Sequence, residues 1–212
     1  MTVNIKGKHI AVGFIVFILI GLGVFGFTWS KKVAYMENVK ICQEKIHSLY
    51  YMSMLLSAEL QDTWSDFIYD DEEYFDENTG EFYVSYKRTD SSYRLENFSQ
   101  AIACKSMYYS NKGVQKELES LYSETKHLLT EMTPSPKKYT TLHININELF
   151  HTAETMYNCA ISPEGNLSSY TSLLNQLSTD YKKQSSGIDI QIGEIASDKK
   201  KELERSAIKK FF

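Results

Sequence analysis

The sequence predicts an all-α protein: a single N-terminal transmembrane helix followed by an antiparallel four-helix bundle, with a small β-hairpin inserted between the first two bundle helices. Three observations carry that expectation. A run of twenty residues holds no charge, four long stretches place apolar residues every three or four positions, and one acidic, aromatic stretch around a glycine alternates as a strand does. The 212 residues are enough for one ordinary domain plus an appendage.

Residues 1–9 form a short basic lead containing Lys6 and Lys8. The uncharged run covers residues 10–29, IAVGFIVFILIGLGVFGFTW, and at a helical rise of about 1.5 Å per residue it matches a hydrocarbon layer about 30 Å thick. It ends in Trp29, Ser30, Lys31 and Lys32 rather than in the small residues of a cleavage site, so it reads as an uncleaved anchor with an aromatic at the interface. The lysines on the two sides do not settle orientation by number. A basic lead before a long apolar run is the usual form of a signal anchor, which places the amino terminus inside and the body on the extracytoplasmic side. The expected localisation is therefore a single-pass membrane protein, with the lipid bilayer as its first partner.

Residues 30–187 carry the four stripes. The first steps through Val39, Cys42, Ile46, Leu49, Ser53, Leu56, Leu60, Thr63 and Phe67. The second runs Cys104, Met107, Asn111, Val114, Leu118, Leu121, Thr125, Leu128 and Met132, and is stopped by Pro134 and Pro136. Tyr139, Leu142, Ile146, Leu149, Ala153, Met156 and Ala160 make the third, which ends at Ser162, Pro163 and Gly165. The fourth is Leu167, Tyr170, Leu174, Leu177, Tyr181, Gln184 and Ile188. Four stripes joined by short turns suit an up-down-up-down bundle.

The basic C-terminal segment, residues 188–212, is open. Ile188, Ile190 and Ile192 alternate as a strand, whereas Ile188, Ile192 and Ile195 fit a helix. Its end, with Lys209, Lys210, Phe211 and Phe212, either touches lipid headgroups or is a solvated terminus.

Several patterns resemble chemical signatures without their context. The unit E-x-x-H occurs as Glu44 with His47, Glu124 with His127, and Glu148 with His151, the spacing that di-metal bundles use on inward faces. At about 100° per residue these side chains fall away from the apolar stripes, on the wet side, and only Glu124 nears a flank. No metal or other cofactor is expected. Gly21, Gly23 and Gly26 match G-x-G-x-x-G but lie inside the apolar run, with no strand before them. They suit close packing against another membrane helix, which would make the chain a homo-oligomer. No nucleophile signature is present, so no catalytic residue is assigned. A net charge of −4 with no basic face argues against nucleic acid. Three cysteines are too few and too far apart for a disulfide framework or a zinc site. Cys42 reads as a small core residue, and Cys104 with Cys159 is the candidate disulfide, since folding the second helix onto the third brings them to similar heights.

The acidic stretch DDEEYFDENTGEFYVSY fails the register of a calcium loop, because setting Gly80 at the sixth position puts Phe75 at the first and Tyr86 at the twelfth. Glu77 to Glu81 instead resembles a type I turn with a left-handed glycine at a G1 bulge. Phe82, Val84 and Tyr86 then alternate with Glu81, Tyr83 and Ser85, giving a hairpin at about 72–86 at the membrane-distal end. Its aromatic face should rest on Trp64, Phe67 and Tyr93. The exposed remainder is acidic, and the candidate protein-interaction surface is Asp70, Asp71, Glu72, Glu73, Tyr74, Asp76, Glu77, Glu81 and Tyr83.

The expected function is that of a membrane-anchored binding, sensing or scaffold module with a protein partner. A structural subunit of a membrane assembly is the alternative, ahead of a metal-binding bundle or enzyme. An N-terminal anchor leading into a long helix resembles the general layout of the sensor half of bacterial chemoreceptors. The second membrane span and cytoplasmic signalling hairpin of that family have no counterpart in this sequence, so the likeness covers layout alone.

Overall fold

The computed structural model describes the backbone at residues 5–69, 74–83, 92–134, 137–192 and 197–211, and side chains within those ranges from residue 31 onward, except residues 93, 138 and 197–199. The described residues are mostly helical and form six helices and a small antiparallel sheet. Helix α1 spans Ile5–Tyr69, and strands β1 (Tyr74–Asp76), β2 (Glu81–Tyr83) and β3 (Ser92–Arg94) follow it. Next come α2 (Phe98–Asn111), α3 (Val114–Glu131), a short 3-10 turn at Lys137–Tyr139, α4 (Thr140–Ile161), α5 (Leu167–Ile192) and α6 (Ser197–Phe211). Among the described residues no helix is long and apolar enough to cross a membrane. The side chains of residues 10–29, and with them the glycines of that run, lie outside the described residues.

Helix α1 is the axis of the molecule. It packs on every other helix, and its broadest interface is with α4. Ring contacts give the directions: Tyr35 stacks on Tyr139 at the start of α4, while Trp64 meets both Phe98 at the start of α2 and Tyr170 near the start of α5. So α4 runs with α1, and α2, α3 and α5 run against it. Because helices surround it, α1 buries more than one stripe. Val39, Cys42, Ile46, Leu49, Leu56 and Leu60 are joined in the interior by Gln43, His47, Tyr50 and Trp64.

The second stripe is not one helix. Gly113 takes a left-handed conformation (φ 81°) that interrupts the second segment between α2 and α3. The 3-4 spacing passes through the break from Asn111 to Val114, which is why periodicity does not register it. Helix α2 starts on a capping box variant, with the Gln100 amide donating to Asn97 Oδ1 at 3.1 Å and the Glu96 amide donating to Gln100 Oε1 at 2.8 Å. At the other open point the helical reading wins. Ile188 and Ile192 are buried on α5, and Ile190 is 86% exposed.

The C-terminal segment is not frayed up to Phe211. Helix α6 folds back along α1, and Phe211 is buried against Tyr109, with ring centroids 5.1 Å apart. The Lys112 ammonium donates to the Phe211 carbonyl at 2.9 Å, and Lys210 pairs with Glu117.

The hairpin forms with Phe75 opposite Phe82 and Asp76 opposite Glu81. Gly80 is left-handed (φ 72°), and its amide donates to the Asp76 carbonyl at 2.8 Å. That bond closes a four-residue loop on directly opposed partners, so the turn is an α-turn without the expected bulge. A third strand, β3, pairs on the other side of β1, with Tyr93 opposite Phe75. Phe75 sits in a small second core with Leu95, Ala101 and Cys104, flanked by Phe67, Phe82 and Tyr108. Trp64 is not part of it. Its ring is taken up by Phe98 and Tyr170 in the main core.

Candidate functional site

Two regions hold the chemistry that the fold brings together. The first is the hairpin. Asp70, Asp71, Glu72 and Glu73 of the expected acidic surface lie outside the described residues. Glu77 and Glu81 are exposed. Tyr83 is half-buried and donates its hydroxyl to Glu81 Oε2 at 2.6 Å, and Tyr74 is half-buried on β1. Asp76 is buried, and its carboxylate accepts from the Asn78 amide at 2.9 Å, so it builds the turn instead of facing outward.

Base also reaches the hairpin tip, which the local sequence does not foretell. Lys105 on α2 donates to the Gly80 carbonyl at 3.0 Å and pairs with Glu59 of α1 at 3.1 Å. Its ammonium also lies over the Phe82 and Tyr109 rings. Burial, followed by a hydrogen bond to Glu59, pushes the Tyr109 hydroxyl well up. A cleft of about 300 Å³ opens between Glu59, Gly80, Lys105, Lys112 and Phe211.

The second region is a polar seam between α1, α5 and α6. Gln43 and His47 stand one turn apart on α1 and are almost fully buried. The Gln43 amide donates to Asp189 Oδ1 at 2.8 Å, and the other Asp189 oxygen accepts from Lys200 of α6 at 2.7 Å. His47 Nδ1 lies 3.2 Å from the Tyr181 hydroxyl, and Nε2 lies 3.3 Å from Glu204 of α6. The neutral ring with its proton on Nε2 lets Tyr181 donate to Nδ1, while Nε2 lies near the Glu204 carboxylate without a hydrogen bond to it. Burial is the main influence on His47 and holds its pKa below the ordinary histidine value, against the opposing pull of Glu204. Tyr181 is raised far above the tyrosine range by burial, so it remains a neutral hydroxyl.

The three E-x-x-H units end in different places. His127 and His151 are exposed and pair with Glu131 and Glu154 on their own helices. Glu124 is bound by Lys45 at 2.6 Å. His47 departs from the expected wet side, because α6 covers the face of α1 on which it lies. Among the described residues no group of three His, Cys, Asp or Glu side chains could hold a metal ion. Cys104 and Cys159 are not bridged to each other, since Cys104 lies in the core beneath the hairpin and Cys159 in the main core. Cys42 is in no disulfide either, and burial pushes its thiol up to about 12.

The seam went unseen in the sequence for a definite reason. Lys200, Glu204, Ala207 and Phe211 step by four, three and four, and Gln43, His47 and Tyr50 step by four and three, but polar members hide both stripes from an apolar criterion. Comparison with protein-family models, curated proteins and solved structures finds no match for this chain.

Proposed function

We propose that this chain is a single-pass membrane protein whose helical body, built on a four-helix bundle, acts on the extracytoplasmic side as a binding, sensing or scaffold module. The observation that carries the reading is continuity. The uncharged run at 10–29 and the axial segment of the bundle belong to one helix, α1, so any load on the body would be transmitted along a single rigid element. The hairpin tip, with exposed Glu77 and Glu81, is the proposed contact surface for a protein partner.

Cell fractionation with alkaline extraction, followed by protease protection, tests this. The full chain should stay with the membrane, its body should be digested only from the extracytoplasmic side, and deletion of residues 1–30 should release it. A full chain extracted by alkali would overturn the anchor. Replacing residues 71–87 with a short linker should abolish partner capture by crosslinking while leaving helical circular dichroism intact.

A second reading, a structural subunit of a membrane assembly, draws on Val33 and Ile41 of α1, which are 48% and 41% exposed beside the anchor. Light scattering of the detergent-solubilised chain separates the two, since a subunit whose stripes complete a shared core would be a stable oligomer.

A further inference from the structure

Helix α6 is attached to the body mainly by polar contacts. Among its described side chains only Ala207 and Phe211 are buried apolar groups; Leu203 is half-buried and Ile208 is exposed. Polar attachments include Lys200 to Asp189, Glu204 to His47, Lys210 to Glu117, and the Phe211 carbonyl to Lys112. Two apolar anchors are few for a helix of 15 residues, because short helices owe most of their stability to an apolar face packed on a neighbour. Elements with so few apolar contacts open at free energies below that of the whole molecule.

What α6 covers is equally telling. His47 lies away from the centre of the main apolar stripe of α1, so without α6 its ring would sit on an open flank. Docking of α6 therefore completes the burial of an imidazole that Tyr181 and Tyr51 already touch on one side. We propose that α6 is an acid-released latch: protonation of His47 frees α6 from α1 and opens the polar seam it covers, while α1, α3, α4 and α5 stay folded.

The groups facing His47 come from all three helices. Tyr51 stacks on it from α1, Tyr181 and Asp189 face it from α5, and Lys200 and Glu204 face it from α6. Asp189 is already engaged by Gln43 and Lys200, which leaves Glu204 as the principal group favouring the imidazolium, opposed by Lys200 and by burial. A cationic ring would also turn Nδ1 into a donor, so the Tyr181 hydroxyl could no longer donate to it. The sign follows from the lowered docked value. A free His47 titrates near 6.5 and a docked one below it, so docking is fully supported above about pH 6.5 and weakens as pH falls from there through the docked value. Each pKa unit between the two states changes the docking equilibrium about tenfold. The latch does not depend on where the body sits relative to a membrane.

Hydrogen exchange of the detergent-solubilised full chain at about pH 7.5 and about pH 5.5, corrected for intrinsic rates, tests the latch. Peptides from 200–211 should lose protection in acid, by up to about tenfold for one titrating site, while α4 peptides keep theirs. In His47→Gln the protection of α6 should be independent of pH. If that variant does not dock α6 at neutral pH, His47→Phe, with an uncharged ring against Tyr51, replaces it and should show the same flat profile. Histidine C2 exchange in the native chain provides a measurement free of substitution, and His47 should titrate below the ordinary value. The latch is overturned by pH-independent α6 protection in the native chain, by an unchanged acid response in the variants, by loss of α4 protection together with α6, or by a His47 that titrates at or above the ordinary value.

Discussion

Tyr50 and Tyr181 stack face to face across the α1–α5 interface, with ring centroids 3.6 Å apart and planes within 4° of parallel. The stack sets the height of the Tyr181 hydroxyl opposite His47 Nδ1. Tyr181→Phe keeps the stack and leaves that nitrogen without its donor, which should cost about 1–3 kcal/mol. Tyr181→Ala also removes the ring and should cost about 3–5 kcal/mol. Urea unfolding of the detergent-solubilised chain, followed by circular dichroism, measures both. A Phe variant as stable as the native chain would mean that the hydroxyl contributes nothing.

Two glycines with similar backbone angles should respond differently to alanine. A Cβ on Gly80 would come within 2.5 Å of the Tyr108 ring, whereas one on Gly113 meets nothing within 4 Å. Gly113→Ala therefore pays only for left-handed strain, about 1 kcal/mol. Gly80→Ala adds a ring displacement of about 1–3 kcal/mol. Hydrogen exchange should show the second loss confined to residues 74–83 and α2, because the hairpin rests on its own small core.

The three cysteines, Cys42, Cys104 and Cys159, are buried and form no disulfide. Maleimide should label the native chain slowly and should label three thiols after denaturation without reductant. Only one labelled thiol would restore the Cys104–Cys159 bond. Cys42 should be the last to react under native conditions, since burial keeps its thiol protonated.

The Lys45–Glu124 pair is at the surface, with Glu124 53% exposed. The hydrogen bond from Lys45, followed by that from Ser120, holds the Glu124 carboxyl below its ordinary value. A lowered carboxylate contributes stability above the unfolded pKa and loses it as pH falls through the folded one. Solvent screening limits the effect, so Glu124→Gln should cost less than about 1 kcal/mol at neutral pH and nothing measurable below about pH 3 or in high salt. Thermal unfolding across pH and salt reads this directly.

The hairpin illustrates how far local signals reach. Gly80 and the alternation after it locate β1, β2 and the turn, because those depend on neighbouring residues. The three residues of β3 are too short to show a period, and the packing of Phe75 onto Leu95, Ala101 and Cys104 depends on where α2 lies. Proximity in sequence places Trp64 at the hairpin. It belongs to the main core because helices α2 and α5 start beside it.

By itself the sequence determined the helical class, the stripes that become α1, α3, α4 and α5, the end of α3 before Pro134 and the turn at Gly165, since each follows from backbone conformation or from apolar spacing along one segment. The tertiary structure decided which faces of α1 are inside. That outcome depends on α6, whose docking face has few apolar groups and carries charges that find partners only across distant parts of the chain. His47 moved from an expected wet face to the interior for that reason: helical phase gives direction relative to one stripe, while burial depends on every element that comes to lie against the helix.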